Sequence, residues 1–166
     1  MEHNLLDLDA TTKASVLLEA LPYIQRFKDS IFVIKYGGAF MDSSDPSKRK
    51  KIASDIAFLH AVGIKVVIVH GGGKAITNAL KEKSIKSEFK NGLRISTRPV
   101  IKVVDQTLNE KINPDICQDI IEQGAHAIQI DGKDILLCKQ KTFSDENDLS
   151  QSYDLGFVGE TYSVKT

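Results

Sequence analysis

The sequence predicts an α/β fold with a mostly parallel sheet, and three observations carry that expectation. Two short apolar runs rich in β-branched residues, Ile31 to Lys35 and Lys65 to Val69, each run into a glycine cluster. Each is followed by a stretch whose apolar residues recur at three-to-four spacing, the period of an amphipathic helix. The order strand, helix, strand, helix implies right-handed crossovers between parallel strands with helices on the sheet faces, and both strands are expected at its centre.

Ahead of the first strand, Thr11 or Thr12 can cap a helix in which Val16, Leu17, Ala20, Leu21, Ile24 and Phe27 form one apolar stripe that needs a partner surface. Pro22 removes a backbone donor inside it, so a kink or break is expected there. Asp45 and Pro46 supply a cap and a first-turn proline for the next helix, whose buried face carries Ile52, Ile56 and Leu59 and which Gly63 closes. Gly71, Gly72 and Gly73 then lead directly into a helix carrying Ile76 and Leu80. From Ser84 to Ile95 the turn pair Asn91-Gly92 marks a hairpin or ordered loop able to reach over a ligand. A helix is expected from Thr97 to about Glu110, and another from Asn113-Pro114 to Gly124. Short strands are expected at His126 to Ile130 and Ile135 to Lys139 around an Asp131-Gly132 turn, with a surface loop over residues 141 to 153.

At 166 residues with 42% hydrophobic content, one domain with its own core is the expectation. Lys plus Arg and Asp plus Glu each number 22, so no net field draws in nucleic acid or an anionic membrane, and the expected partners are small molecules or further copies of the chain. No apolar run approaches the roughly 20 residues that span a bilayer. Cys117 and Cys138 form no metal-ligand spacing and the N-terminus has no secretion-signal pattern, which leads to the expectation of a cytoplasmic location.

Three motifs carry candidate chemistry. In Lys35-Tyr36-Gly37-Gly38 a lysine at a strand end precedes two glycines whose N–H groups can approach an anion unhindered, at the strand edge where parallel sheets bind ligands. The plain alternative is a solvated lysine before a turn. In Val69-His70-Gly71-Gly72-Gly73 three glycines open a helix whose positive dipole end suits phosphate or carboxylate; the alternative is a flexible turn. This is not a Walker A loop, which needs glycine at Ile68 and Ser or Thr at Ala75. His70 reads as a packed strand-end residue, with no second ligand at metal spacing. In Asn91-Gly92-Leu93-Arg94 the turn positions a guanidinium able to grip a carboxylate through two hydrogen bonds, or simply an exposed arginine. Asp131-Gly132-Lys133-Asp134 lacks the ligand series of a calcium loop and is read as structural, and the cysteines as small packed residues.

Taken together, the order IKYGGAF, VVIVHGGGKAI, NGLRIS, VVDQTLNEKIN, DGKD and DLGFVGE closely resembles the N-acetylglutamate kinases of the amino-acid kinase family over nearly the whole chain. That resemblance implies an open αβα sandwich and transfer of phosphate from MgATP, as co-substrate, to the side-chain carboxylate of N-acetyl-L-glutamate in arginine biosynthesis. It places Lys35 against the charge on the transferring phosphoryl group, helped by the N–H groups of Gly37 and Gly38. Gly72 and Gly73 would hold the substrate near its reacting carboxylate, and Arg94 its α-carboxylate.

It also divides the chain into a helical extension, residues 1–30, and an acetylglutamate-binding lobe, residues 31–166, with no counterpart of the family's C-terminal nucleotide-binding lobe after Thr166. The first helix resembles the extension that links dimers into hexamers in arginine-sensitive members, which makes a homo-oligomer the expectation; packing on its own domain is the alternative. Phe40, Lys74 and the Asp131 to Ile135 stretch depart from the family pattern. The alternative to a kinase segment is a catalytically silent substrate-binding or oligomerisation module.

Overall fold

A computed structural model describes residues 9–37, 46–144 and 152–165. The N-terminal helix α1 (Ala10–Phe27) is capped by Asp9, whose carboxylate accepts from the Thr12 N–H at 2.9 Å and from its hydroxyl at 2.6 Å. The cap thus falls before the two threonines expected to provide it. Pro22 neither ends nor interrupts the helix. Its surroundings are exposed, so water can take the carbonyl that the missing donor frees. None of the residues of α1 is buried, and Val16, Leu17 and Leu21 of its apolar stripe face solvent.

Strand β1 (Ile31–Tyr36) crosses through helix α2 (Pro46–Ala61) to strand β2 (Lys65–His70), which pairs with it in parallel from Ile31 opposite Lys65 to Tyr36 opposite His70. Alternation along the strands sends Ile34, Tyr36, Val66 and Ile68 to one face. There they pack with Ala53, Ile56 and Ala57 of α2 and with Ile116 and Ile120 of a later helix, α5 (Asn113–Glu122). Across that layer Arg49 donates through Nε at 2.8 Å and Nη2 at 2.6 Å to one oxygen of Asp119. The other face, with Ile31, Val33, Val67 and Val69, is open to solvent; Val33 is 69% exposed. Among the described residues β1 and β2 pair only with each other, so the expectation of two central strands is not met: each keeps a free edge.

Helix α3 (Gly73–Glu82) follows β2 and packs against α4 (Arg98–Gln106) around Leu80, Val100 and Val103. Between them lies a small hairpin, β3 (Phe89–Lys90) and β4 (Leu93–Arg94), turned by Asn91 at φ 49° and Gly92 at φ 75°. Two consecutive left-handed residues match the twist of a tight hairpin, the reason Asn-Gly marks such turns. After α4 the backbone widens into a π-helical segment, Thr107–Ile112, before continuing into α5.

Beyond α5 the structure departs from the sequence reading. Residues 126–130 form no strand, and Asp131 caps a single helical turn, α6 (Gly132–Ile135), rather than a hairpin turn. The physical reason lies in the side chains of that turn. Lys133 reaches Asp105 of α4 at 2.8 Å and Asp131 at 2.9 Å, and Asn109 donates to both aspartates, fastening the turn to the helices instead of leading it into a strand. The strand expected at Ile135 to Lys139 is found as the start of a longer one, β5 (Leu136–Ser144), which pairs antiparallel with β6 (Ser152–Val164), and the pair takes up both ends of the expected 141–153 loop.

Candidate functional site

The parallel register brings Lys35 level with Val69 and Tyr36 level with His70, so both strands deliver their glycines at one edge of the sheet. Lys35 lies on the open face. A Cβ built on Gly37, Gly71 or Gly73 would meet nothing within 4 Å. The side-chain positions of all three glycines therefore face free space. Gly38 and Phe40 lie outside the described residues. The His70 ring is half-buried, with Nδ1 3.2 Å from the Gly71 carbonyl.

Gly72 is glycine for a different reason. It is buried, and a Cβ there would come within 2.6 Å of Ile112 Cδ1 and 2.9 Å of Leu108 Cδ2. The π-helical segment therefore supports the glycine loop from beneath and leaves no room for a side chain. Gly72 is also the N-cap of α3, with no side chain to satisfy the helix's leading N–H groups. An anionic ligand at that terminus would meet unpaired donors and the positive end of the helix dipole.

Arg94 comes to the same helix terminus. Its Nη2 donates to the Gly73 carbonyl at 3.3 Å and to the Thr77 hydroxyl at 2.9 Å; Nη1 donates to the Ser87 hydroxyl. Thr77 in turn donates to the Gly73 carbonyl at 2.8 Å. The guanidinium lies 4.5 Å from the centre of the Phe89 ring, and partial burial pulls its pKa below the ordinary arginine value. The structure thus joins two of the three sequence candidates, Gly73 and Arg94, and puts the third, Lys35, at the same sheet edge. Sequence reasoning missed Thr77, Ser87, Leu108 and Ile112. Only Thr77 left a trace, one helical turn after Gly73 on the same face.

The chain from residue 30 to residue 165 matches the family described as the amino acid kinase family. The chain belongs to that family. Among curated relatives of this amino acid kinase chain, an acetylglutamate kinase of Campylobacter fetus is 45% identical over 157 residues, covering 95% of this chain and 53% of the relative. An acetylglutamate kinase of Petrotoga mobilis is 43% identical, covering 94% of this chain and 50% of the relative. The chain thus spans about half the length of the curated relatives it matches. A solved N-acetylglutamate synthase from Neisseria gonorrhoeae, complexed with coenzyme A and N-acetyl-glutamate, superposes with a TM-score of 0.70 at 16% identity over 91% of this chain and 32% of that one. At that identity the likeness concerns the fold.

The remaining reactive groups stand apart from this edge. Cys117 is half-buried, which pushes its thiol pKa up, against the depression that a nucleophilic thiolate requires. Among the described residues no three His, Cys, Asp or Glu side chains are grouped to hold a metal ion. No described helix is long and apolar enough to cross a membrane.

Proposed function

We propose that this chain forms the acyl-substrate side of an acetylglutamate kinase and binds N-acetyl-L-glutamate at the edge where the glycine loop of α3 meets Arg94. The observation that carries this reading is the Arg94 to Gly73 contact, which sets a guanidinium charge beside the N-terminus of α3, where the helix dipole also favours a carboxylate. The names of the relatives support the choice of substrate.

In the reaction, an oxygen of the substrate's side-chain carboxylate attacks the γ-phosphorus of ATP. The new O–P bond gives an acyl phosphate, the bond to the bridging oxygen breaks, and ADP leaves with the electron pair. A carboxylate carries no proton to be removed, so positioning and charge neutralisation suffice. Gly72 and Gly73 hold the reacting end of the substrate and Arg94 its α-carboxylate. Lys35, with the N–H groups of Gly37 and Gly38, meets the charge of the phosphoryl group. MgATP is co-substrate, and a step of arginine biosynthesis is the pathway role that fits.

The exposed apolar stripe of α1 supports self-association into a homo-oligomer, since a second copy would remove Val16, Leu17 and Leu21 from water. Light scattering that finds only monomers would contradict that part. For the site, calorimetric titration with N-acetyl-L-glutamate is expected to show saturable binding that Arg94→Ala weakens about 10- to 100-fold, the loss of a charge-assisted hydrogen bond. Equal affinity in the two proteins would overturn the assignment.

A further inference from the structure

The β3–β4 hairpin that carries Arg94 has only two residue pairs, Phe89 with Arg94 and Lys90 with Leu93. A ladder that short does not fix its own orientation. Its placement comes from its neighbours. On one side Arg94 is tied to Gly73 and Thr77 of α3. On the other, Ser96, two residues past Arg94, is built into β6: the Ser96 N–H donates to the Leu155 carbonyl at 2.7 Å, and the Phe157 N–H donates to the Ser96 carbonyl at 2.8 Å. Leu155 anchors this seam at 1% exposure. The Ser96 hydroxyl also donates to the Arg94 carbonyl at 3.1 Å.

Gly156 lies at the middle of the seam, paired with Ser96 in a parallel bridge. Its φ is +76°, and its N–H is held by Asp154 Oδ1 at 2.7 Å. A Cβ there would stand 2.3 Å from the Ser96 carbonyl oxygen and 2.8 Å from the carbonyl carbon. Both atoms are backbone, so no side-chain rotation relieves the clash. Further out, Asn91 donates to the Tyr153 hydroxyl at 3.0 Å, and the Lys90 ammonium lies 3.4 Å from the centre of the Tyr153 ring. These outer contacts join the hairpin tip to the same strand.

We propose that Gly156 is a positioning residue for Arg94: the absence of a side chain at 156 lets β6 close on Ser96, and that closure sets where the Arg94 fork stands over the start of α3. The inference rests on the proposed substrate role of Arg94, but its primary test needs no ligand. The chain has four arginines, so the Arg94 Nε–H resonance can be assigned by its loss in Arg94→Lys. Gly156→Ala is expected to shift that resonance and speed its exchange with water, and to weaken acetylglutamate binding roughly tenfold. Calorimetric stoichiometry should stay constant, whereas a partly unfolded population would lower it. In the Arg94→Lys background Gly156→Ala should weaken binding no further, because the group it positions is already gone.

Ser96→Ala keeps the backbone bridge and removes only the hydroxyl link; it is expected to shift the same resonance less far, and covers the case in which Gly156→Ala does not fold. An Arg94 resonance unmoved in either folded variant, or equal weakening by Gly156→Ala with arginine and with lysine at 94, overturns the proposal. Failure of the unsubstituted chain to bind acetylglutamate overturns the substrate assignment instead, leaving the resonance shift to decide the positioning role.

Discussion

Arg94 Nη2 lies 3.3 Å from the Gly73 carbonyl oxygen, a contact spanning 21 residues of sequence that fastens a two-pair hairpin to the first turn of α3. It brings the glycine loop and the arginine together at the start of α3, where the sequence has two separate motifs. The guanidinium is held by protein acceptors on Gly73, Thr77 and Ser87. Both Nη2 hydrogens are thus taken. In the proposed role, a carboxylate arriving at α3 would meet the remaining Nη1 and Nε hydrogens of a guanidinium whose position is already set, which reduces the ordering cost of binding.

The three glycines of the loop should respond differently to alanine. Gly72→Ala drives a methyl toward Ile112 and Leu108 and is expected to cost about 1–3 kcal/mol of stability, the range for overpacking. At Gly71 and Gly73 the added Cβ meets open space, so alanine there should leave stability within about 1 kcal/mol. It should still weaken acetylglutamate binding by occupying the space beside the N–H groups. Denaturant melts and calorimetry on the three variants separate the two effects.

Arg49 and Asp119 join α2 to α5 beside Tyr36, the last residue of β1. Arg49→Ala should cost on the order of 1–2 kcal/mol, since the pair is charge-assisted yet about a third exposed on the arginine side. Chemical denaturation should show a lower midpoint with an unchanged slope. An unaltered midpoint would mean that the apolar contacts between the helices hold them without the pair.

Two groups at the α6 turn give stability a pH signature. The Lys133 N–H and ammonium lower the Asp131 pKa, so Asp131 contributes stability above its unfolded value of 3.8 that is lost as pH falls through the lower folded value. Asp105 and then Asp131 raise the Lys133 pKa, so its contribution is complete at neutral pH and is lost only as pH rises through the raised folded value. The stability gap between the unsubstituted chain and Asp131→Asn should therefore be constant from pH 5 to 8 and shrink below about pH 4. Urea melts across that range check it; a gap that stays constant down to pH 2 would contradict the linkage.

Local rules made the first two-thirds of the chain readable. Glycine punctuation, proline at a first turn and apolar periodicity placed β1, α2, β2 and α3, and Asn91-Gly92 placed the hairpin because only residues tolerant of positive φ make that turn. The C-terminal third was not readable in the same way. The α6 turn is held by Asp105 and Asn109, more than 20 residues away in sequence, and no window around Asp131 contains them. The exposed stripe of α1 shows the same limit: periodicity finds the apolar face but cannot say what covers it. For the site, local motifs pointed to glycines and an arginine, whereas the separate task of Gly72 depends on Leu108 and Ile112, brought beneath it by a later helical segment.

The most direct measurement of the central claim is a titration of the isotopically labelled chain with N-acetyl-L-glutamate, followed through its backbone amide resonances. The largest shifts are expected at Gly71, Gly72 and Gly73 and at the Arg94 side chain, with saturation at one ligand per chain. Shifts confined to other surfaces, or no saturable shifts at the glycine loop, would contradict it.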